Sequence, residues 1–344
     1  MNCKRLFAAI VLLLSACQRP EATLHEYSFF AFGTLVEVSI WEVDEAKAKH
    51  AARTVEQDFA GFDKDWHAWR PSALTETNRQ LASGQVFIPP PSVIPLVEHA
   101  RPLSRSSHGL FDPAIGKLIE LWGFHSDEPP KAPPDAQAIT DWLAERPSLA
   151  DLEINEGMWR SKNPTVQLDF GAHAKGYAID RTIEHLKALG IHNALVNAGG
   201  DLRAIGRAGN RPWRIGIRHP RAAGVIASLE ITGDESVLTS GDYERFFMHE
   251  GKRYHHIFDP RTGYPAEGSM SVTVIHKEAA KADAAATAIF VAGSREWQIV
   301  ARDMAVDQVM LIDAQGRIHL TPGMQERLRF EIDTRNGIPA DKLP

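Results

Sequence analysis

Cysteine is almost missing from this chain: Cys3 and Cys17 are the only two in 344 residues. Both lie near the N-terminus, so no disulfide framework holds the body of the protein. Long hydrophobic runs are also scarce. The apolar stretch from Leu6 to Leu14 is too short to span a bilayer as a mature helix. There is no excess of positive charge: 38 Lys and Arg stand against 44 Asp and Glu, a net charge of −6. Without a basic face to neutralise phosphates, nucleic acid is excluded as a partner. No internal repeat is detectable, and charges of both signs are mixed along the chain as on a solvated surface. What the chain does have is 44% hydrophobic residues, enough for a large core in one big domain or two intimate ones.

The N-terminus reads as an address. Lys4 and Arg5 precede the apolar stretch, and Leu14-Ser15-Ala16-Cys17 resembles a bacterial lipobox. On that reading residues 1–16 are a signal peptide and Cys17 is the lipidation site. Residues 17–27 are then a lipidated tether holding the protein to the membrane in the periplasm. Gln18 is not the aspartate that retains lipoproteins in the inner membrane, so either membrane is open.

Helices and strands alternate through the rest. A first strand is expected within residues 32–40 and a helix from Asp44 to Phe62, whose Ala48, Ala51, Val55, Phe59 and Phe62 share one face. Further helices are expected near Ser92, over residues 113–122, 281–291 and 295–304. Residues 126–134 read as a surface loop. Strands are expected over residues 211–218, 225–231, 236–239, 253–258 and 270–276, with a terminal hairpin over 308–320. Helices mixed with largely antiparallel strands indicate an α+β fold, one large domain of mixed sheet with packed helices.

The richest stretch is Leu168 to Gly206. Asp169-Phe170-Gly171-Ala172 is a compact loop, Lys175 opens an amphipathic helix that ends at Gly190, and a strand then runs into Asn197-Ala198-Gly199-Gly200-Asp201. A helix N-terminus beside a glycine-rich loop and a lysine is a natural seat for phosphate, although such loops also simply turn corners. Asp283 and Thr287 stand four apart on one helix face. Two hard oxygens suit Mg²⁺; the plain alternative is a helix N-terminal charge and a threonine bonded to its own helix. His255 and His256 point to opposite faces of a strand. One of them facing a cleft can act as a general base, with a rate that falls as pH drops through an ordinary histidine ionisation. Asp259-Pro260-Arg261-Thr262-Gly263 is turn chemistry, and Asp112 reads as a helix cap.

Together these segments resemble the ApbE family, the FAD:protein FMN transferases. The resemblance rests on Asp169 to Ala178 (D-x-G-x-x-A-K-G-Y-A), Asn197 to Asp201 (NAGGD) and Thr239 to Tyr243 (TSGDY). His256 to Gly263 (H-I-x-D-P-x-T-G), Asp283 to Thr287 (D-x-x-x-T) and Phe32-Gly33-Thr34 complete the set, in order, across residues 28–325. Residues 326–344 then form a C-terminal extension.

The resemblance implies that FAD is the substrate and Mg²⁺ the cofactor. FMN passes to a threonine or serine hydroxyl of an acceptor flavoprotein, and AMP leaves. Asp283 and Thr287 would hold the metal with the Ala172 carbonyl. Phe32, Trp69, Leu110, Phe111, Asp112, Asp169, Lys175 and Ile257 would bind the flavin nucleotide, Phe32 and Trp69 as flat apolar surfaces. His256 would accept the hydroxyl proton. The acceptor would be a subunit of a membrane electron-transfer complex, such as the sodium-pumping quinone reductase, or a periplasmic flavoprotein. FAD hydrolysis to AMP and FMN, or flavin binding without catalysis in an assembly lipoprotein, are the alternatives. Phe32 stands where the family has methionine, and His173 where a small or aliphatic residue is common.

Overall fold

A computed structural model describes residues 23–332 apart from 127 and 129. The expected signal peptide and lipidation site, residues 1–16 and Cys17, lie outside the described residues. The centre is an eight-stranded sheet in the order Leu24–Ala31, Thr34–Trp41, Ala194–Ala198, Asp201–Gly206, Gly233–Gly241, Ser269–His276, Val309–Asp313, Ile318–Leu320. Every neighbouring pair in it is antiparallel. The described residues include helices α1 (Glu45–Trp66), α2 (Ala73–Ser83), α3 (Ile94–Ser106), α4 (Gly116–Leu121), α5 (Ala136–Glu145), α6 (Ala174–Ala188), α7 (Ala279–Asp303) and α8 (Pro322–Gln325). The fold is α+β, as the alternation of elements indicates.

The two faces of the sheet are covered differently, because strand residues alternate sides. Val36, Val38, Val196, Leu238, Val272 and Leu311 face the helical layer, with Val55 and Phe59 of α1, Ile179 and Ile183 of α6 and Ile289 and Phe290 of α7. Their neighbours Val237, Ile275, Met310 and Ile312 face the other way, onto a three-stranded sheet of Arg329–Phe330, Val225–Ile231 and Trp213–Arg218. The result is three layers.

Local chemistry sets the helix boundaries. Asp44 caps α1 by accepting from the Lys47 N–H at 2.8 Å. Ser72 and Thr75 form a reciprocal capping box on α2. Gly293, at φ 63°, breaks α7 internally between the two helical stretches expected there.

Two expectations are corrected, for the tether and for the strand through residues 253–258. The tether does not reach residue 27: a strand begins at Leu24, pairs with Trp41, and His25 donates from Nε2 to the Val43 carbonyl at 3.0 Å. Within the C-terminal extension, Arg329–Phe330 pairs with Ser228 and Ala227, and Arg327 binds Glu235. The strand through residues 253–258 is interrupted at His256 and Ile257. Its cause is the buried His255 ring, whose Nδ1 accepts the Ile257 N–H at 3.2 Å and so takes a bond the ladder would otherwise use.

Candidate active site

The loop 169–173 feeds α6 through two bonds onto the Phe170 carbonyl, from the His173 and Ala174 N–H groups at 2.9 and 2.7 Å. Gly176 follows in the first turn. A Cβ there would stand 2.5 Å from the Ala279 carbonyl, so glycine lets α6 touch the start of α7. One turn later Asp180 accepts the Ala279 and Ala280 N–H groups, both at 2.9 Å, and caps α7 from outside. Buried Arg203 holds Asp180 in turn at 2.6 Å. The sequence thus fixes the two helices that carry Lys175 and Asp283 against each other.

Between them lies a buried charge cluster. The Lys175 ammonium is in direct contact with the Asp201 carboxylate. Asp201 emerges from the Gly199-Gly200 turn, where φ is 67° and 103°. Its other oxygen accepts the Thr239 N–H at 3.1 Å. Asp283, 6% exposed, accepts the Gly176 N–H at 3.1 Å. In a regular helix that N–H would return to Ala172, so the diversion keeps the Ala172 carbonyl outside the helical ladder.

Burial opposes the Lys175 charge, yet Asp201 and Asp283 outweigh it and hold its pKa above the ordinary lysine value. Burial first, and Asp201 second, push the Asp283 carboxyl up to about 7 despite Lys175. One lysine does not compensate two buried acids. Thr287 is part-exposed on a stretch of α7 that is otherwise buried apart from Lys281, and its hydroxyl meets Ser240 Oγ at 3.1 Å. A carboxylate short of positive charge, a hydroxyl and a carbonyl are all hard oxygens. This donor set fits a hard divalent cation completed by water and phosphate oxygens.

His256 lies near enough to Lys175 to feel its charge. Its Nδ1 lies 3.1 Å from the Arg245 carbonyl, which can only accept, so Nδ1 carries the proton and Nε2 keeps its lone pair. The residue is half-buried. Burial above all, then His255, Arg245 and Lys175, push its pKa down to about 3. On that value, the rate limb expected near an ordinary histidine ionisation would lie at lower pH. His255 is buried, donating from Nε2 to the Ala266 carbonyl at 2.9 Å.

The remaining candidates divide by what their polar atoms already hold. Phe32 sits at the tip of the first hairpin at φ 51°, followed by Gly33 at φ 69°, an unusual backbone for phenylalanine. Its ring packs edge-on to Phe59 at 5.9 Å. Trp69 is half-buried and its indole donates to Asp169 Oδ2 at 2.9 Å; Asp169 Oδ1 takes the Gly171 N–H at 2.7 Å. Burial raises the Asp169 pKa. Asp169 thus orients Trp69 and the loop with both oxygens committed to protein donors.

Asp112 is more committed still. It accepts from the Ala114 and Leu149 N–H groups and from the hydroxyls of Ser104 and Ser148. It pins a loop ahead of α4 rather than capping that helix, which begins at Gly116. Leu110, Phe111 and Ile257 are all buried, at 6%, 2% and 6% exposure, so they form an inner wall.

The structure brings Lys175, Asp283, Thr287, Ala172 and His256 to one region, and the Arg245 charge acts on both His256 and Asp169, which holds Trp69. Asp201 had no assigned role in the sequence reading, although an acid directly after two glycines was its signal. A separate cleft of about 270 Å³ is lined by Asn78, Arg79, Lys117 and Gln167 and shares no side chain with this cluster.

An antiparallel sheet that presents a buried lysine–acid cluster between two helix N-terminal ends defines the class structurally. Comparison with known proteins identifies the class. The ApbE family model matches residues 32–310. An FAD:protein FMN transferase of Rhodobacter capsulatus is 43% identical over 313 residues, covering 91% of this chain and 59% of that protein. The chain therefore spans about three fifths of that relative's length. An FAD:protein FMN transferase of Treponema pallidum is 33% identical, with 92% of each chain covered. The crystal structure of the ApbE protein of Thermotoga maritima matches with a TM-score of 0.81 at 31% identity, covering 89% of this chain and all of that one. The chain belongs to the ApbE family.

Proposed function

We propose that this protein is an FAD:protein FMN transferase that depends on Mg²⁺ and modifies a threonine or serine hydroxyl of an acceptor flavoprotein. The observation that carries the reading is the Asp283 carboxylate, buried beside Asp201 and undercompensated by Lys175, with the Thr287 hydroxyl on the same helix. Lys175, held protonated, meets the negative pyrophosphate of the substrate. Asp283, Thr287 and the Ala172 carbonyl would hold the metal. Bound there, Mg²⁺ supplies electrostatic stabilisation of the phosphate oxygens.

The acceptor oxygen forms a bond to the FMN-side phosphorus as the phosphoanhydride bond to AMP breaks. Its proton passes to Nε2 of His256, the nitrogen left free by the Arg245 carbonyl. Trp69, fixed by Asp169, and Phe32 offer apolar ring faces to the flavin nucleotide. The lipobox supports anchoring through Cys17 in the periplasm, close to membrane electron-transfer acceptors.

The test measures AMP released from FAD with Mg²⁺ or EDTA, and with or without an acceptor domain. Acceptor- and metal-dependent AMP release is expected. Equal release without acceptor would make the protein a hydrolase, and release in EDTA would remove the metal from the reading.

A further inference from the structure

His173 stands between Ala172 and Lys175 in the chain, and its ring is fully buried. It occupies the N-cap position of α6 but makes no capping bond. Asp or Ser there would contribute about 1 kcal/mol to the helix. The side chain is turned to another purpose. Its Nε2 meets His99 Nδ1 of α3 at 2.9 Å, and His99 Nε2 lies 3.9 Å from Glu278, the residue that precedes α7. Phe111 packs against the same ring at 5.8 Å and Tyr177 stacks on it at 5.7 Å.

The order of protons along this row follows from its ends. At 3.9 Å the Glu278 carboxylate accepts no hydrogen bond from His99, but its negative charge favours the proton on the nearer nitrogen, Nε2. His99 Nδ1 then accepts from His173 Nε2–H. His173 Nδ1 is left as a bare lone pair with no partner among the described residues, which costs less than a buried orphan N–H. One end of the row sits on the loop that offers the Ala172 carbonyl. The other sits at the start of the helix that carries Asp283 and Thr287.

We propose that Glu278, His99 and His173 form a positioning row that sets the Ala172 carbonyl against Asp283 and Thr287 for cation binding. The proposal rests on the metal reading of that site. It places no catalytic step on the histidines; they act through the residue beside them. Outer partners of metal ligands of this kind commonly control affinity by about 10–100-fold.

The experiment is a titration of the full-length protein with Mn²⁺, followed by electron paramagnetic resonance, with no FAD or acceptor present. His99→Leu breaks the row and should weaken Mn²⁺ binding by about 10–100-fold. His99→Asn places an amide oxygen where Nδ1 was and should restore binding to within about threefold of the parent. Glu278→Gln, at an exposed position that makes no capping bond, removes only the carboxylate and should weaken binding by a smaller factor. Parent-like binding in His99→Leu would overturn the proposal, as would equal losses in His99→Leu and His99→Asn. Both results leave the metal reading standing. If the parent protein binds no Mn²⁺, the metal reading fails and the positioning row falls with it.

Discussion

Replacing Asp283 by asparagine removes a buried charge while keeping an oxygen for the Gly176 N–H. In the metal-free protein the consequence runs against the usual cost of a site mutation. The Asp283 carboxyl sits at about 7 when folded, against 3.8 when free, chiefly because it is buried and second because Asp201 is near. Below about pH 4 it is protonated in both states and carries no penalty. As pH rises from there the folded protein retains a proton that the unfolded chain has lost, so stability falls, and the loss is complete above about pH 7. At about 1.36 kcal/mol per pH unit, the ceiling is about 4 kcal/mol. Asp283→Asn in EDTA should therefore be more stable than the parent at pH 8, by on the order of 2–4 kcal/mol. The gap should close towards pH 4. Added Mg²⁺ should stabilise the parent and not the variant, and the variant should have lost transfer activity. Urea unfolding at pH 4, 6 and 8, in EDTA and in Mg²⁺, measures all of this. A variant less stable than the parent at pH 8 in EDTA, or a gap independent of pH, would refute the reasoning.

Further outcomes follow from the same geometry. His256→Ala should bind FAD with near-normal affinity yet transfer FMN on the order of 10²–10⁴-fold more slowly in single turnover; equal losses of binding and rate would make it a pocket residue. Because the His256 pKa is pushed down to about 3, the parent rate should show no acid limb of this group between pH 5 and 8, and a histidine-like limb that disappears in His256→Ala would contradict that. His255→Ala, which strips bonds from Ala266 and Ile257, should lower the unfolding midpoint more than the rate per folded molecule. Asp169→Ala should free the Trp69 indole and weaken FAD binding by about 1.5–3 kcal/mol, read by fluorescence titration; unchanged affinity would remove Trp69 from the flavin surface. Cys17→Ser should yield an unlipidated protein with unchanged activity on a soluble acceptor domain, and a lost activity would show that the N-terminal segment is more than a tether.

The parts of the fold that were legible in the sequence are those where local chemistry and tertiary role agree. The helix from Ala174 to Ala188 announces itself by its spacing and by Gly190, and the Gly199-Gly200 turn by its glycines. The pairing of Asp283 with Thr287 on one helix needed only the period of the helix. Helix α2 escaped because two of its four buried residues, Thr77 and Asn78, are polar. Thr77 bonds back to Ala73, and Asn78 clamps both the N–H and the carbonyl of Leu168, ninety residues away. No local window contains that partner. The same limit applies to Asp112 and Asp169. Their motifs marked them as important, yet only the fold shows that Ser104, Ser148 and Leu149 hold one and Trp69 the other. His173 is the reverse case, an unexplained departure in the sequence that the structure pairs with His99.

The most direct measurement is intact-protein mass spectrometry of a purified acceptor domain incubated with this protein, FAD and Mg²⁺. The account predicts that the acceptor gains the mass of one FMN on a threonine or serine, matched mole for mole by AMP, and that neither appears in EDTA or with Asp283→Asn. AMP released with the acceptor left unmodified, or an acceptor labelled equally well by Asp283→Asn, would contradict it.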